Sequence, residues 1–215
     1  MTANVLIALR ISSTLKDKDF VSKTLIVIGG GAAGFFCAVN AARLSSDLKV
    51  IILEKSSKVL AKVKVSGGGR CNVTHHCFDV NELIQKYPRG KNFLKKELYR
   101  FSPKDTFEWF EERGVKLKAE TDGRMFPVTD SSQTIIDCLL NEAAKYKVEI
   151  HLNASVHRLL REDEHWVIDL QNEKLQADFV CVACGGFPKL EQFNWLKDLG
   201  HSIETPVPSL FTFNI

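Results

Sequence analysis

Apolar residues occur in two short continuous runs near the start of the chain, Thr24–Ile28 and Val50–Glu54. Runs of this length, rich in β-branched residues, are typical of strands buried on both faces of a parallel sheet. The stretch from Gly31 to Leu44 is lined with Ala and Phe, which predicts an apolar helix, and Ser45–Lys49 predicts a turn. The order strand, helix, strand indicates a βαβ unit of an α/β fold.

Further along, the pattern alternates between helices and strands. Ser102 is predicted to cap a helix that has Pro103 at its first position and Asp105 in its first turn. Asp130 or Ser131 caps the next helix. We expect further elements at Gly114–Glu120 (strand), Gly123–Pro127 (turn), Val148–Leu152 (strand) and Leu190–Leu199 (helix).

Three alternating segments with short polar links follow: Ala154–Arg161, His165–Leu170 and Gln176–Cys184. Strands joined in this way predict an antiparallel meander. The predicted fold class is therefore α/β, a Rossmann-like domain with a parallel sheet and a three-stranded crossover meander.

The turn after the first strand carries Gly29, Gly31 and Gly34 in the spacing G-x-G-x-x-G. In a dinucleotide-binding turn these glycines allow the tight turn, the approach of a pyrophosphate, and close packing of helix on strand. The helix N-terminus, with Ala32–Ala33, then offers its N–H groups to the phosphates. Glu54 follows Gly34 by twenty residues, where an acid accepts hydrogen bonds from a ribose. The alternative is an ordinary glycine turn in an unrelated α/β unit.

A second glycine-rich segment has the sequence KVKVSGGGRCN, Lys62–Asn72. Its N–H groups can bind an anion, and Arg70 adds a planar set of donors. The alternative is a flexible surface loop. The spacing of Cys and His in Cys71–Cys77 matches none of the common zinc patterns, so no metal is expected.

Two cysteines, Cys181 and Cys184, have the C-x-x-C spacing of a redox pair. Strand positions three apart face opposite sides, so we interpret both as buried structural thiols. Cys71 has no second cysteine at that spacing and is not predicted to be a redox thiol.

Composition adds little to this picture. The net charge of +3 does not by itself favour nucleic acid, and no apolar run approaches the length of a membrane helix. The run Val5–Leu9 is too short for a signal peptide, and six cysteines in a chain of 215 residues suggest reduced thiols. We therefore expect a cytoplasmic protein with no membrane partner.

The chain resembles the BaiN-like (YhiN-like) family of NAD(P)/FAD-dependent oxidoreductases. SGGGRCN is the most specific motif of this resemblance, which covers residues 24–215. The matching stretches are Val27–Ala33, Leu53–Lys55, Ser66–Thr74, Gly123–Pro127, Ala183–Phe187 and Pro206–Leu210. The family often has a glycine near Leu60, where this chain departs from it.

The resemblance implies a flavoprotein that transfers a hydride from NAD(P)H to a small organic substrate through FAD. It implies cofactor contacts along several segments and names no catalytic residue; His75, His76 and Arg124 are candidates only. The implied contacts are Gly29, Gly31, Ala32, Ala33, Gly34, Glu54, Lys55, Lys62, Ser66, Gly67, Gly68, Gly69, Arg70, Cys71, Asn72, Val156, Ala183, Gly185 and Gly186.

Members of this family are much longer, so the chain looks like an N-terminal portion. We expect a tail at residues 1–23, an incomplete FAD/NAD(P)-binding domain at 24–205, and at 206–215 the start of a linker to a substrate domain. One alternative is a non-catalytic nucleotide-binding module or truncated chain.

The other alternative is an RNA-modifying flavoprotein that uses the basic run Lys86–Arg100. We expect Phe93, Leu94 and Leu98 to form one buried helix face there, which makes nucleic acid an unlikely partner.

Overall fold

The computed structural model describes residues 22–187 and 189–207. Within them the chain divides into two compact units. The first, called here the sheet unit, contains residues 22–59 and the described residues from 148 onward. The second, the inserted unit, contains Leu60–Lys147. Most of the predicted N-terminal tail, and the predicted linker beyond residue 207, lie outside the described residues.

Ten strands and seven α-helices make up the described part of the chain. The strands are β1 Thr24–Ile28, β2 Lys49–Leu53, β3 Thr74–His75, β4 Leu117–Ala119, β5 Arg124–Pro127, β6 Glu149–His151, β7 Arg158–Glu162, β8 His165–Asp169, β9 Lys174–Ala177 and β10 Phe179–Val182. The helices are α1 Ala32–Leu44, α2 Ala61–Val65, α3 Val80–Ile84, α4 Lys91–Arg100, α5 Pro103–Glu111, α6 Ser132–Lys145 and α7 Asn194–Lys197.

The sheet unit is built on a four-stranded parallel sheet in the order β10-β1-β2-β6. Strand β1 is an inner strand, and its Ile26 is paired with Ile51 on one side and Val180 on the other. Ile26 and Ile52 are completely buried. The two apolar runs of the sequence are therefore neighbouring inner strands, as their continuous hydrophobicity predicts.

The meander of the sheet unit is a separate antiparallel sheet in the order β7-β8-β9. The prediction of one strand over Gln176–Cys184 is wrong, because the segment contributes β9 to the meander and β10 to the parallel sheet. The chain changes sheets at Asp178, whose amide donates to the carbonyl of Thr24 at 3.0 Å. Alternation alone does not show which partner each half of such a segment pairs with.

The inserted unit contains a small antiparallel sheet in the order β3-β5-β4. The sequence predicts a turn at Gly123–Pro127, yet the last four of these residues form the central strand β5. Phe126 on this strand is completely buried. The pairing with β3, far away in sequence, stabilises an extended conformation that local turn residues do not predict.

Helices α3 and α4 share a small apolar cluster formed by Leu83, Ile84 and Leu98, with Leu94 packed against it. The sequence predicts that Phe93 joins this buried face, but 69% of its surface is exposed. Helix α3 packs against the side of α4 that carries Leu94 and Leu98, and Phe93 lies outside this contact.

The predicted helix starts are largely confirmed. Ser102 and Asp105 form a reciprocal capping box at the start of α5, with Pro103 at its first position. Ser131, rather than Asp130, caps α6. The predicted C-terminal helix begins as a 3-10 helix at Leu190–Phe193 before α7. None of the helices in residues 22–187 and 189–207 is long and apolar enough to span a bilayer.

Candidate functional site

The carboxyl ends of the parallel strands in the sheet unit meet at one edge. The amide of Gly29, just after β1, donates to the carbonyl of Leu53 at 2.8 Å. The amide of Ala183, just after β10, donates to the carbonyl of Ile28, also at 2.8 Å. In open α/β sheets the crevice beyond the carboxyl ends of the strands is where ligands bind.

The glycines of the turn are packed as the G-x-G-x-x-G spacing predicts. Gly29 has a φ of +112°, and a β-carbon there would lie 2.5 Å from the carbonyl oxygen of Ala183. A β-carbon on Gly34 would collide with the carbonyl oxygen of Gly29. A β-carbon on Gly31, in contrast, would meet no atom within 4 Å. Two glycines thus allow the chain to pack tightly, and the third leaves room for a ligand.

The first turn of α1 has donors available to an anion. Its N-cap residue, Gly31, provides no side-chain acceptor, and the turn contains no acidic side chain. The N–H groups of Ala32 and Ala33 therefore belong to the set that a helix leaves without intrahelical partners. Together with the positive end of the helix dipole, they can hold phosphate oxygens.

Glu54 lies directly after β2 and is bonded to the glycine turn. Its Oε2 accepts a hydrogen bond from the amide of Gly30 at 2.9 Å, and its Oε1 accepts from the amide and hydroxyl of Ser56 at 2.9 and 2.8 Å. Partial burial acts to raise the pKa of Glu54, but these hydrogen bonds outweigh it and the pKa lies below its ordinary value. The side chain is therefore an ionised acceptor at neutral pH.

The remaining predicted contacts of the sheet unit lie around this edge. Val156 follows Ala154, whose amide donates to the carbonyl of Glu54 at 2.9 Å. Lys55 has its Nζ 5.5 Å from the centroid of the Phe187 ring. Gly185 has a φ of +75°, and a β-carbon on Gly186 would meet nothing within 4 Å.

The other predicted contacts, Lys62 and Ser66–Asn72, belong to the inserted unit. Gly67, Gly68 and Gly69 have φ values of +55°, +68° and +85°, a left-handed conformation that favours glycine. The second and third of these face open space, so their backbone is accessible to a ligand. The loop follows α2. The N-cap residue of that helix, Leu60, is buried and has a φ of +56°. Leu60 thus has a glycine-like conformation at the point where the resembling family often has glycine.

Arg70 has several partners within the inserted unit. Its guanidinium bonds Oε1 of Glu120 at 2.5 Å and lies 3.7 Å from a carboxylate oxygen of Asp130. It also stacks over the ring of Phe126, with 4.0 Å between the guanidinium carbon and the ring centroid. The ring lies 2.9 Å from the position of a β-carbon on Gly67. Arg70 therefore stabilises the loop conformation, and its charge is partly offset by carboxylates.

Two of the three candidate acid–base residues, His75 and Arg124, lie on paired strands, and His76 directly follows the first of these strands. His75 on β3 is opposite Arg124 on β5. The guanidinium of Arg124 bonds Asp122 at 2.6 Å and Glu120 at 3.2 Å. Two motifs that are about fifty residues apart in sequence are therefore adjacent, and Arg124 already has carboxylate partners.

The cysteines show no metal-binding arrangement. Across residues 22–187 and 189–207, no group of three or more His, Cys, Asp or Glu side chains is placed to hold a metal ion. Burial raises the pKa of Cys71, and the hydrogen bond with Ser66 only partly opposes it, so this thiol is protonated at neutral pH. Cys181 and Cys184 are half-buried rather than buried. The partner of Cys181 is Cys37 on α1, whose hydrogen bond lowers the pKa of Cys181.

Three residues that donate hydrogen bonds within the candidate site or beside it were not identified from the sequence. Gly30 and Ser56 donate to Glu54, and Ser132 donates from its hydroxyl to the carbonyl of Lys64 at 2.8 Å, within the inserted unit. Gly30 lies in the run of three glycines, which is a usable signal. Ser132 is 68 residues from its partner, and no local pattern indicates that contact.

Residues 23–206 match the family model described as the HI0933-like protein Rossmann domain. The chain belongs to this family. The resemblance drawn from the sequence motifs is confirmed, and so is the α/β Rossmann-like fold class.

Curated relatives of this HI0933-like chain include a 3-dehydro-bile acid delta(4,6)-reductase of Clostridium scindens. It is 29% identical over 195 residues, which are 88% of this chain and 47% of the relative. A ribosomal RNA dihydrouridine synthase of Escherichia coli is 30% identical over 161 residues, 75% of this chain and 39% of the relative. The chain thus spans less than half the length of these two relatives.

Among solved structures, the 3-ketosteroid-delta4-(5alpha)-dehydrogenase of Rhodococcus jostii aligns with a TM-score of 0.58. Its sequence is 14% identical, and the match covers 86% of this chain and 50% of that chain. At this identity the likeness shows the shared fold.

Proposed function

We propose that this HI0933-like chain is the FAD-binding part of a flavin-dependent oxidoreductase. The observation that carries the proposal is the arrangement of Gly31, the N-terminus of α1 and Glu54 at the carboxyl edge of the sheet unit. There Gly31 leaves open space before the uncapped N-terminus of α1, and the ionised Glu54 lies at the end of the neighbouring strand β2. An anion site beside an acceptor for hydroxyl groups is the combination that a dinucleotide requires.

Three parts of FAD, the pyrophosphate, the ribose and the adenine, would each have a residue suited to them at this edge. The N–H groups of Ala32 and Ala33 would hold the pyrophosphate, and Glu54 would accept hydrogen bonds from the ribose. The backbone of Val156 would present polar groups to the adenine. FAD held by these residues would supply the hydride-transfer chemistry between NAD(P)H and the substrate.

The loop Ser66–Asn72 is a second proposed contact, for an anionic group, within the inserted unit. Its support is the left-handed backbone of Gly68, which is exposed, and of Gly69, which is partly exposed. Backbone N–H groups in such turns form anion-binding concavities. Lys62 and Lys64, both exposed on the preceding helix, add positive charge nearby in sequence.

The reaction class we propose is the reduction of a carbon–carbon double bond next to a carbonyl. Two of the curated relatives are named 3-dehydro-bile acid delta(4,6)-reductase and ribosomal RNA dihydrouridine synthase, and the proposed class is compatible with both names. In this class a hydride adds to the carbon β to the carbonyl and a proton to the α carbon. In this proposal the chain is one part of a longer protein, and the activity belongs to that whole protein.

The first test is the absorption spectrum of the purified chain after incubation with FAD. We expect bound flavin, and we expect Gly31→Ala to weaken FAD binding roughly tenfold, a loss of about 1.4 kcal/mol. Since Gly31 has an extended backbone and an open surrounding, that variant should keep the melting temperature of the parent chain. A chain that takes up no FAD contradicts the proposal.

A second candidate function is the modification of RNA. Burial of Phe93 would have made nucleic acid an unlikely partner, but Phe93 is exposed. In addition, relatives from Escherichia coli and Haemophilus influenzae are named ribosomal RNA dihydrouridine synthase. Reduction of uridine fits the proposed reaction class, and RNA would then be the molecule that carries the reduced base.

A further inference from the structure

The solvent-facing side of α4 carries two aromatic rings among cations. Phe93 is 69% exposed and Tyr99 59% exposed. Helical spacing places Lys96 and Arg100 between them, because these positions follow Phe93 by three and seven residues. Lys95 lies beside Tyr99 on the same side. We call these five side chains the α4 face.

The charge around the α4 face differs from that of the rest of the chain. Residues 83–100 contain six Lys and Arg and one acid, Glu97, a net charge of +5. The whole chain has +3, so all other residues together carry a net charge of −2. Glu97 is paired with Arg100 at 3.1 Å. Positive charge is therefore concentrated on this one helix and the turn before it.

The opposite side of α4 holds the helix in place within the inserted unit. Leu98 is buried and Leu94 packs with it against α3. The hydroxyl of Tyr99 donates to the side-chain oxygen of Asn81 on α3 at 3.0 Å. This hydrogen bond restrains the Tyr99 ring while much of its surface stays exposed. The aromatic groups are thus presented on a supported helix.

We propose that the α4 face binds single-stranded RNA. Cations that follow a phosphate backbone, together with aromatic rings on which bases stack, are the two components of such surfaces. An acidic protein partner would use the cations but has no need of two exposed rings flanking them. The inference rests on the second candidate function above, for which it supplies the binding surface. It does not depend on FAD binding, because α4 contains none of the proposed cofactor contacts.

The test uses the complete 215-residue chain and a fluorescently labelled oligouridylate about 12 nucleotides long, within the usual site size of single-strand binding surfaces. The affinity is measured by fluorescence anisotropy at several salt concentrations. Neutralising Lys95 and Lys96 together, as Lys95→Gln with Lys96→Gln, should reduce the slope of log K against log salt by about 1.4, since each neutralised phosphate of a single strand adds about 0.7. The matched control, Lys145→Gln with Lys174→Gln, removes two exposed lysine charges elsewhere and should leave that slope unchanged.

The aromatic component has its own pair of variants. Phe93→Leu keeps an apolar side chain but removes the ring, and we expect about tenfold weaker binding. Phe93→Trp keeps a ring and should retain the affinity. Since Phe93 is exposed, neither variant should change the melting temperature by circular dichroism, and this is measured for each. If the Phe93→Leu and Phe93→Trp variants bind the RNA with equal affinity, no base stacks on this position, and the proposal is overturned.

Three further results also overturn it. The first is equal weakening of binding in the control pair of lysines, which indicates a general charge effect. The second is tighter binding to oligodeoxythymidylate of the same length than to the RNA. The third is binding to phosphatidylserine-containing vesicles, but not to RNA, through Lys95 and Lys96. Uptake of FAD is measured separately by its absorption, so a failure of the α4 face and a failure of the cofactor site are distinguished.

Discussion

The carboxylate of Glu54 accepts a hydrogen bond from the amide of Gly30 at 2.9 Å. This bond connects the residue after β2 to the glycine turn after β1. In the proposed function the same carboxylate accepts hydrogen bonds from the ribose of FAD. Glu54 holds the turn in shape, and in the proposed function it would also bind the ligand next to the turn.

We expect Glu54→Gln to weaken FAD binding by about 1.5–3 kcal/mol, the value of hydrogen bonds to a charged group. The dissociation constant should rise roughly 10- to 150-fold, measured by quenching of flavin fluorescence. Glu149→Gln removes a half-exposed carboxylate of the same unit, paired with Lys49, and should leave the affinity unchanged. If the two variants bind FAD equally well, Glu54 has only the structural task.

Gly34→Ala should destabilise the sheet unit, because the added β-carbon would collide with the carbonyl oxygen of Gly29. Backbone cannot move aside as a flexible side chain does, so we expect a cost of about 1–3 kcal/mol or more. Thermal unfolding followed by circular dichroism measures it. Gly31→Ala, three residues away in open space, should unfold like the parent chain. Equal melting temperatures for the two variants would show that α1 does not pack on the turn this closely.

Ser132→Ala should destabilise the inserted unit by about 1 kcal/mol, the value of a typical hydrogen bond. Ser132 is 1% exposed, and its hydroxyl donates to the carbonyl of Lys64, just before the Ser66–Asn72 loop. The substitution leaves that carbonyl without this donor. Urea unfolding measures the change, and Ser46→Ala, at an exposed position, is the control. No difference between the two would mean that the hydrogen bond adds no stability.

The capping box of α5 should make stability depend on pH. Partial burial acts to raise the pKa of Asp105, but hydrogen bonds from Ser102 outweigh it, so the pKa lies below its ordinary value. A carboxylate with a lower pKa in the folded state adds stability above its unfolded pKa of about 3.9. That contribution is lost as the pH falls through the folded value.

We therefore expect Asp105→Asn to lower the free energy of unfolding by about 0.5 kcal/mol at neutral pH, since solvent weakens this exposed interaction. The difference from the parent chain should disappear in acid below both pKa values. Urea unfolding at both pH values measures it. A difference that persists in acid would assign the effect to the shape of the side chain rather than to its charge.

Local patterns predicted much of the sheet unit. The strand β1, the helix α1 and the acid after β2 follow from continuous hydrophobicity and glycine spacing between Thr24 and Glu54. The prediction for Phe93 failed for a different reason. Its position fits either a buried or an exposed side of α4, and the packing of Leu94 and Leu98 against α3 decides which side is covered.

The family, the α/β fold class and the order of the elements around the glycine turn could be predicted before the structure was known, because each depends on residues close together in the chain. The tertiary structure decided the rest. It divided Gln176–Cys184 between two sheets and made a strand of Arg124–Pro127. It also brought Arg70 to Glu120, 50 residues away. These outcomes depend on pairing partners that are distant in sequence, and local periodicity contains no information about them.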